Sequence, residues 1–160
     1  MIEFPDTTPA LLQHVNPRSE RHGDSELVPA MDLRLQIETG RGLLEQFAKG
    51  LGILYVEKRQ KSLVEGDDVE RRFPTMVMPI KFDDEQTGCT LVLDLGLGDD
   101  VSNITLRDVQ VHKHALELLD GGTVRATFTA TVVDPDVAIL GKLGTLVQHQ
   151  VFLQLHGPTA

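Results

Sequence analysis

Apolar and polar side chains alternate along two separate segments of the chain. In the first segment Met31, Leu33, Leu35 and Ile37 alternate with polar residues, and residues 124–132 show the same alternation. A period of two places successive side chains on opposite faces of a strand. Each segment therefore predicts a β-strand with one face in the core and one face in water.

A turn signal precedes the second alternating segment. Asp120-Gly121-Gly122 supplies the residues that a three-residue hairpin turn with a left-handed position requires. That turn would place Leu118 opposite Val124 and Leu116 opposite Ala126. The sequence therefore predicts a β-hairpin and its register.

The strand before this turn carries two patterns of opposite parity. The hairpin register directs His112 and His114 toward the core, whereas the apolar residues Val109 and Val111 have the other parity. One inserted residue exchanges the two faces of a strand. We therefore predict a β-bulge near Lys113, which would separate the two histidine side chains.

Proline and glycine divide the N-terminal half of the chain. Residues 8–15 predict a short extended segment that ends at Asn16-Pro17-Arg18, because proline lacks a backbone donor and restrains the residue before it. A polar loop over residues 19–26 is expected to follow. Residues 43–49 have apolar side chains at helical spacing and predict a helix of two turns that closes at Gly50.

Later segments predict further short elements. Residues 76–82 and 90–95 favour two strands, and the acidic segment 83–88 between them suits a hairpin turn. Residues 136–143 predict a short helix. A final strand is expected within residues 146–155, where apolar and polar positions alternate again.

The number and spacing of these elements predict a mainly β fold of the β-rich α+β class. Roughly seven strands and two short helices, without a βαβ rhythm, favour an antiparallel sandwich or a partly closed barrel. A chain of 160 residues with 41% hydrophobic residues is long enough for one core, so we expect a single globular domain over residues 1–160. Residues 157–160 are expected to form a loose C-terminal tail.

Composition excludes several classes of function. The formal net charge of −9 disfavours indiscriminate binding to duplex nucleic acid, because the chain's overall field repels the phosphates. The single cysteine, Cys89, cannot form an internal disulfide or a thiolate metal cluster. The N-terminus lacks a signal-peptide pattern, and no segment approaches the roughly 20 apolar residues of a membrane span. We expect a cytoplasmic protein without membrane association.

Two patterns suggest chemistry, but each has a stronger structural interpretation. His112 and His114 would form a metal site if His149 or His156 completed it, yet the predicted bulge separates the pair. Residues 21–24 combine an arginine, an imidazole and an acid, but no nucleophile or oxyanion hole accompanies them. We therefore predict no enzymatic activity, no metal site and no cofactor.

The most polar stretch of the chain, residues 57–73, predicts an exposed excursion. It follows residues 53–56, an apolar run too short to distinguish a strand from a buried helix. The candidate binding residues are two cationic clusters and two rings: Lys58, Arg59, Lys61, Arg71, Arg72, Tyr55 and Phe73. Such residues bind the backbone and bases of single-stranded nucleic acid. Neighbouring carboxylates nearly cancel the cations, so a solvated loop is the competing interpretation.

Two stretches of the chain carry a resemblance to known proteins. The first is Val15-Asn16-Pro17-Arg18-Ser19-Glu20-Arg21-His22-Gly23-Asp24, which leads into Asp32-Leu33. The second runs from Ile104-Thr105-Leu106 through Leu118-Leu119-Asp120-Gly121-Gly122-Thr123-Val124 to Gly141-Lys142-Leu143. Together they resemble small uncharacterised early-region proteins of tailed phages and prophages of proteobacteria. The resemblance covers roughly half the chain and carries no catalytic motif. It implies a non-enzymatic binding protein that acts in replication, in recombination or against host defence.

These observations leave several functional hypotheses open. The leading one is a phage accessory protein of DNA metabolism, which binds single-stranded DNA or a replication or recombination protein through residues 57–73 in the host cytoplasm. A second is an acidic inhibitor of a host anti-phage defence complex, whose negative charge occupies a nucleic-acid channel or a basic protein groove. A third is a minor virion or assembly protein, and a metal-dependent hydrolase is the least supported. Homo-oligomerisation is left open.

Overall fold

The computed structural model describes residues 1–24, 26–58, 69–95 and 103–158. Within these ranges the chain forms nine strands and three α-helices. The strands are β1 (Phe4–His22), β2 (Glu26–Gly40), β3 (Val56–Lys58), β4 (Val69–Arg71), β5 (Ile80–Phe82), β6 (Gln86–Asp94), β7 (Ile104–Leu118), β8 (Thr123–Val133) and β9 (Gln150–His156). The helices are α1 (Gly42–Phe47), α2 (Leu51–Tyr55) and α3 (Val137–Thr145).

Six of the strands close into an antiparallel barrel. Their order is β7, β6, β9, β1, β2 and β8, and β8 pairs back with β7 to close the ring. The short strand β5 adds to the edge of β7, while β3 and β4 form a separate two-stranded sheet. The mainly β, antiparallel prediction is confirmed, and the barrel is closed rather than partly closed.

The alternating segments provide the core of the barrel. On β2 and β8 every second side chain points inward and is buried, and facing positions combine large with small residues: Leu33 lies opposite Ala130, and Ile37 opposite Ala126. Phe128 is fully buried opposite Leu35. Burial of each large side chain contributes roughly 1.5–3 kcal/mol, so the period-two pattern specifies which face of each strand turns inward.

The predicted hairpin and its register are confirmed. Leu118 pairs with Val124 and Leu116 with Ala126, and the intervening turn is Asp120–Gly122. Gly121 and its neighbour Gly122 have φ angles of 77° and 82°. Glycine is favoured at both positions because it has no Cβ to clash in the left-handed region.

The predicted bulge in β7 is confirmed as well. The register between β7 and β8 shifts between His112 and Ala115, and Lys113 has a φ angle of 54°. The side chain of His112 lies on the outer face of the barrel wall, where it is half-buried, whereas His114 is 2% exposed. The bulge therefore allows the apolar residues on both sides of Lys113 to face the same core.

The predicted break in the N-terminal strand is wrong. β1 continues through Asn16-Pro17-Arg18 to His22, and residues 19–22 pair with residues 26–29 of β2 instead of forming a loop. Pro17 lies opposite Met31 on β2, while β9 pairs only with residues 4–11 of β1. Proline is tolerated there because this part of β1 pairs with β2 on one side only. No described strand on the other side needs a hydrogen bond from the missing N–H.

The predicted hairpin between residues 76–82 and 90–95 is also wrong. In that region β5 pairs with residues 114–116 of β7, whereas β6 pairs with residues 104–111 of the same strand. The two short partners lie end to end on one side of β7, with the bulge between them. β7 is long enough for both, and β6 pairs with β9 on its other side.

The helices are short, and Leu43 and Leu44 of α1 and Leu143 of α3 are buried in the hydrophobic core. α1 ends before Gly50, whose φ angle is 86°, in agreement with the predicted helix end. The apolar run 53–56 could not be assigned to a strand or a buried helix from sequence. In the structure residues 53–55 belong to α2, and Val56 begins β3. The predicted helix at residues 136–143 is α3, and the Asp136 side chain accepts a hydrogen bond from the Ala138 N–H at 2.8 Å as its N-cap. Among the described residues no helix is long and apolar enough to span a bilayer.

Candidate functional site

The predicted excursion starts and ends as a small two-stranded sheet. Val56 of β3 pairs with Arg71 of β4, and Lys58 pairs with Val69. The strands hold the two ends of the excursion side by side. Of the predicted binding residues, Arg59 and Lys61 lie outside the described residues, as does the side chain of Lys58.

The two aromatic rings predicted to stack on a ligand contact each other. The ring centroids of Tyr55, at the end of α2, and Phe73, after β4, are 6.3 Å apart, and the planes are nearly perpendicular at 79°. This edge-to-face arrangement is a favourable aromatic contact. Tyr55 is half-buried, whereas Phe73 is 43% exposed. Phe73 is therefore the ring that offers surface to a partner.

The two neighbouring arginines have different surroundings. Arg71 lies in β4 and is partly exposed. The backbone N–H of Arg72 donates to the Tyr55 carbonyl at 2.8 Å, and its Nε donates to the Ile53 carbonyl at 3.2 Å. The guanidinium of Arg72 therefore lies at the C-terminal end of α2, where the helix dipole favours a cation.

Two exposed aliphatic residues beside these arginines were not among the predicted site residues. Ile53 is 75% exposed and Leu54 is 49% exposed, although both belong to an apolar run. We define the α2–β4 surface as the following set: Ile53, Leu54, Tyr55, Arg71, Arg72 and Phe73. The sequence feature that could have indicated their exposure is the position of that apolar run, directly before the most polar stretch of the chain.

A cavity of about 500 Å³ borders the α2–β4 surface between α1, α2 and β3. Arg41 and Arg72 line it together with Glu45 and Ile53. The Glu45 carboxylate accepts hydrogen bonds from the backbone N–H groups of Gly50 and Gly52 at 2.9 and 3.0 Å. Glu45 thereby ties α1 to the start of α2 and fixes the position of this surface.

A polar network crosses four strands on the outer face of the barrel. Arg18 Nε donates to Asp32 Oδ2 at 2.8 Å, and Thr131 Oγ1 donates to Asp32 Oδ1 at 2.6 Å. His112 Nε2 lies 2.8 Å from Thr131 Oγ1. Burial raises the pKa of Asp32, but the hydrogen bonds from Arg18 and Thr131 outweigh it and hold that pKa below its ordinary value. Burial lowers the pKa of His112, with a smaller contribution from the charge of Lys113.

The order of hydrogen bonds in this network does not suit nucleophilic catalysis. The Thr131 hydroxyl donates its proton to Asp32, so its oxygen accepts from His112. An activated nucleophile needs the reverse arrangement, in which the imidazole takes the hydroxyl proton and the carboxylate orients the imidazole. The network instead links β1, β2, β8 and β7 across the barrel wall.

The histidine pair considered for a metal site is divided by the bulge. His114 packs with its ring edge against Phe47, at a centroid distance of 5.3 Å, and lies 6.3 Å from Phe128. Within the described residues neither ring nitrogen of His114 has a hydrogen-bond partner, and no group of three His, Cys, Asp or Glu side chains could hold a metal. A buried polar group without a partner costs roughly 1–3 kcal/mol, so the fold retains His114 at a cost.

Comparison of the chain with protein-family models, with curated proteins and with solved structures finds no match.

Proposed function

We propose that this chain is a non-enzymatic phage accessory protein that binds a protein of DNA metabolism through the α2–β4 surface. The observation that supports it is the exposure of Ile53 and Leu54 beside the partly exposed ring of Phe73. Clustered apolar side chains on a surface mark interaction sites, and arginine and aromatic residues are enriched at such sites.

The chemistry of the surface favours a protein partner over single-stranded DNA. Aliphatic side chains such as Ile53 and Leu54 offer no π-face on which a base can stack, but they fit an apolar patch on a protein. Arg41, Arg71 and Arg72 favour a partner whose apolar patch is bordered by carboxylates. The resemblance to early-region phage proteins supports a replication or recombination protein as that partner.

Single-stranded DNA is the second candidate ligand. The exposed ring of Phe73, with Arg71 two residues before it, has the combination of stacking surface and cation that such a ligand uses. The net charge of −9 opposes this candidate, since it repels a polyanion. The same charge supports the acidic-inhibitor alternative, which does not depend on Ile53 or Leu54.

Paired substitutions on the α2–β4 surface test the proposal. We expect the double variant Ile53→Gln, Leu54→Gln to lose at least about tenfold in affinity for the partner captured from phage-infected cells, because each apolar anchor contributes about 1 kcal/mol or more. Leu27→Gln is the matched control, since Leu27 is 65% exposed in the β1–β2 ribbon, where residues 19–22 of β1 pair with residues 26–29 of β2. The affinity of the purified pair is measured by calorimetry.

Each alternative predicts a different result. If Ile53→Gln, Leu54→Gln binds the captured protein as tightly as Leu27→Gln does, the proposed surface is wrong. Fluorescence anisotropy with a labelled oligo-dT strand tests the DNA candidate. Binding that weakens about tenfold in Phe73→Leu and in Arg71→Gln, and that falls steeply with salt, would replace the protein partner by single-stranded DNA.

A further inference from the structure

A second cavity opens on the barrel wall at the bulge of β7. Its volume is about 550 Å³, and its lining includes Arg34, Lys81, Phe82, Asp83, Lys113 and His114. β5 ends at Phe82 and β6 begins at Gln86, so in the described pairings residues 112 and 113 of β7 have no partner on that side. The cavity thus occupies the gap between two strands that pair end to end with β7.

The cavity carries more positive than negative charge. Arg34, Lys81 and Lys113 line it against a single carboxylate, Asp83. Within the described residues none of the three cations forms an ion pair with a carboxylate. In a chain with a net charge of −9, three such cations around one cavity indicate an affinity for anions.

Arg34 is held in position at the wall of this cavity. Its Nη1 donates to the Lys113 carbonyl at 2.9 Å and to Thr129 Oγ1 at 3.1 Å. Lys113, whose carbonyl accepts the first of these hydrogen bonds, is the bulge residue with the left-handed backbone conformation. A guanidinium has five N–H donors, and the remaining ones can face a ligand. Burial lowers the pKa of Arg34, but a guanidinium remains charged at neutral pH.

His114 provides an independent sign of a ligand. It lines the cavity, is 2% exposed, and has no hydrogen-bond partner for either ring nitrogen in the part of the chain that the structure describes. Buried polar groups are almost always paired, with protein, with ordered water or with a bound ligand. A neutral imidazole offers one N–H donor, which an oxyanion would satisfy.

We propose that this cavity binds a small organic anion, whose carboxylate or phosphate group lies among Arg34, Lys81 and Lys113 and accepts a hydrogen bond from His114. Phe82 and Ala115 line the same cavity and would contact the apolar body of the ligand. This site is separate from the α2–β4 surface, and its existence does not depend on the proposed partner.

Titration with small probes tests the site. We use benzoate and phenyl phosphate as anions with an apolar body, acetate and inorganic phosphate as anions without one, and benzyl alcohol as the neutral control. Heteronuclear NMR of the full chain follows the His114 imidazole signals and the Lys113 amide. Saturable shifts at these positions with benzoate or phenyl phosphate, and weaker ones with acetate, inorganic phosphate and benzyl alcohol, are expected. The tighter of the two anions identifies a carboxylate or a phosphate ligand.

Matched variants separate binding from folding. Lys81→Gln removes an exposed cation of the cavity, and His114→Phe removes the imidazole donor while keeping a ring between Phe47 and Phe128. Each is expected to weaken the better probe about tenfold, as loss of a hydrogen bond or charge contact to an anion does. Lys142→Gln on α3 is the control and is expected to bind like the unmodified chain.

Two results would overturn the site. One is the absence of saturable shifts at His114 and Lys113 with every anionic probe. The other is binding that is unchanged in both Lys81→Gln and His114→Phe. Spectra of each variant show whether the barrel is folded, so a loss of binding through misfolding is recognised directly.

Discussion

His114 is packed between Phe47 and Phe128, and its burial lowers the pKa of its imidazole. Asp84 opposes this shift, while the positive charges of the N-terminus and of Arg34 add to it. Because the pKa is lower in the folded chain, the unfolded chain takes up a proton first as the pH falls. The contribution of the neutral ring to stability is complete above about pH 6.5 and is lost as the pH falls below that value.

Replacement of His114 is expected to change this pH dependence. In His114→Phe the ring packing is retained and the titratable group is gone, so the free energy of unfolding should fall less between about pH 6.5 and 5 than in the unmodified chain. Urea unfolding at a series of pH values measures the slope. His156→Phe, on the exposed end of β9, is the control. Equal slopes in His114→Phe and the unmodified chain would contradict the assignment of this effect to His114.

Among the structural elements, β7 shows most clearly what the sequence can specify. The change of parity around Lys113 predicts the bulge, because only an inserted residue lets both halves of the strand bury their apolar residues. The turn Asp120–Gly122 fixes the register with β8 in the same local way. These predictions succeed because the information lies within a few residues of each feature.

Other features depend on which strands become neighbours, which local sequence does not state. Pro17 is compatible with β1 only because that part of the strand is an edge, and β5 pairs with β7 across more than thirty residues of sequence. The exposure of Ile53 likewise depends on how α2 lies against α1 and β3. Arg34 and Lys81 reach one cavity from different strands, so no spacing in the sequence predicts that site.

The backbone conformation of Lys113 at the bulge can be tested by substitution. Lys113 has a positive φ angle, which β-branched residues adopt only at a high cost. We expect Lys113→Val to lower the free energy of unfolding by about 1 kcal/mol, because a branched Cβ adds a steric cost to the left-handed conformation beyond the cost that lysine already bears. Lys81→Val in β5 is the matched control, because Lys81 is also an exposed strand lysine. Chemical unfolding of both variants gives the comparison, and equal stabilities would show that the bulge is not conformationally demanding.

At the scale of the whole molecule, the residues that stabilise the closed barrel and the residues of the two proposed binding sites lie in different places. The alternating strands form the core, and the polar network from Arg18 to His112 ties the outer face of four strands together. The α2–β4 surface and the cavity at the bulge lie outside the barrel core, on the short elements and at the gap between β5 and β6. The cavity at the bulge is lined by three cations and one carboxylate, and the α2–β4 surface includes two arginines, on a chain with a net charge of −9. The barrel therefore forms the support on which both proposed binding sites lie.

The most direct test of the central claim is hydrogen–deuterium exchange of the full chain, alone and bound to its captured partner. We predict that binding slows exchange at residues 51–55 and 71–73, while the β1–β2 ribbon around Leu27 exchanges at the same rate in both states. Slowed exchange confined to the ribbon or to the barrel strands, with residues 51–55 and 71–73 unchanged, would contradict the proposed binding surface.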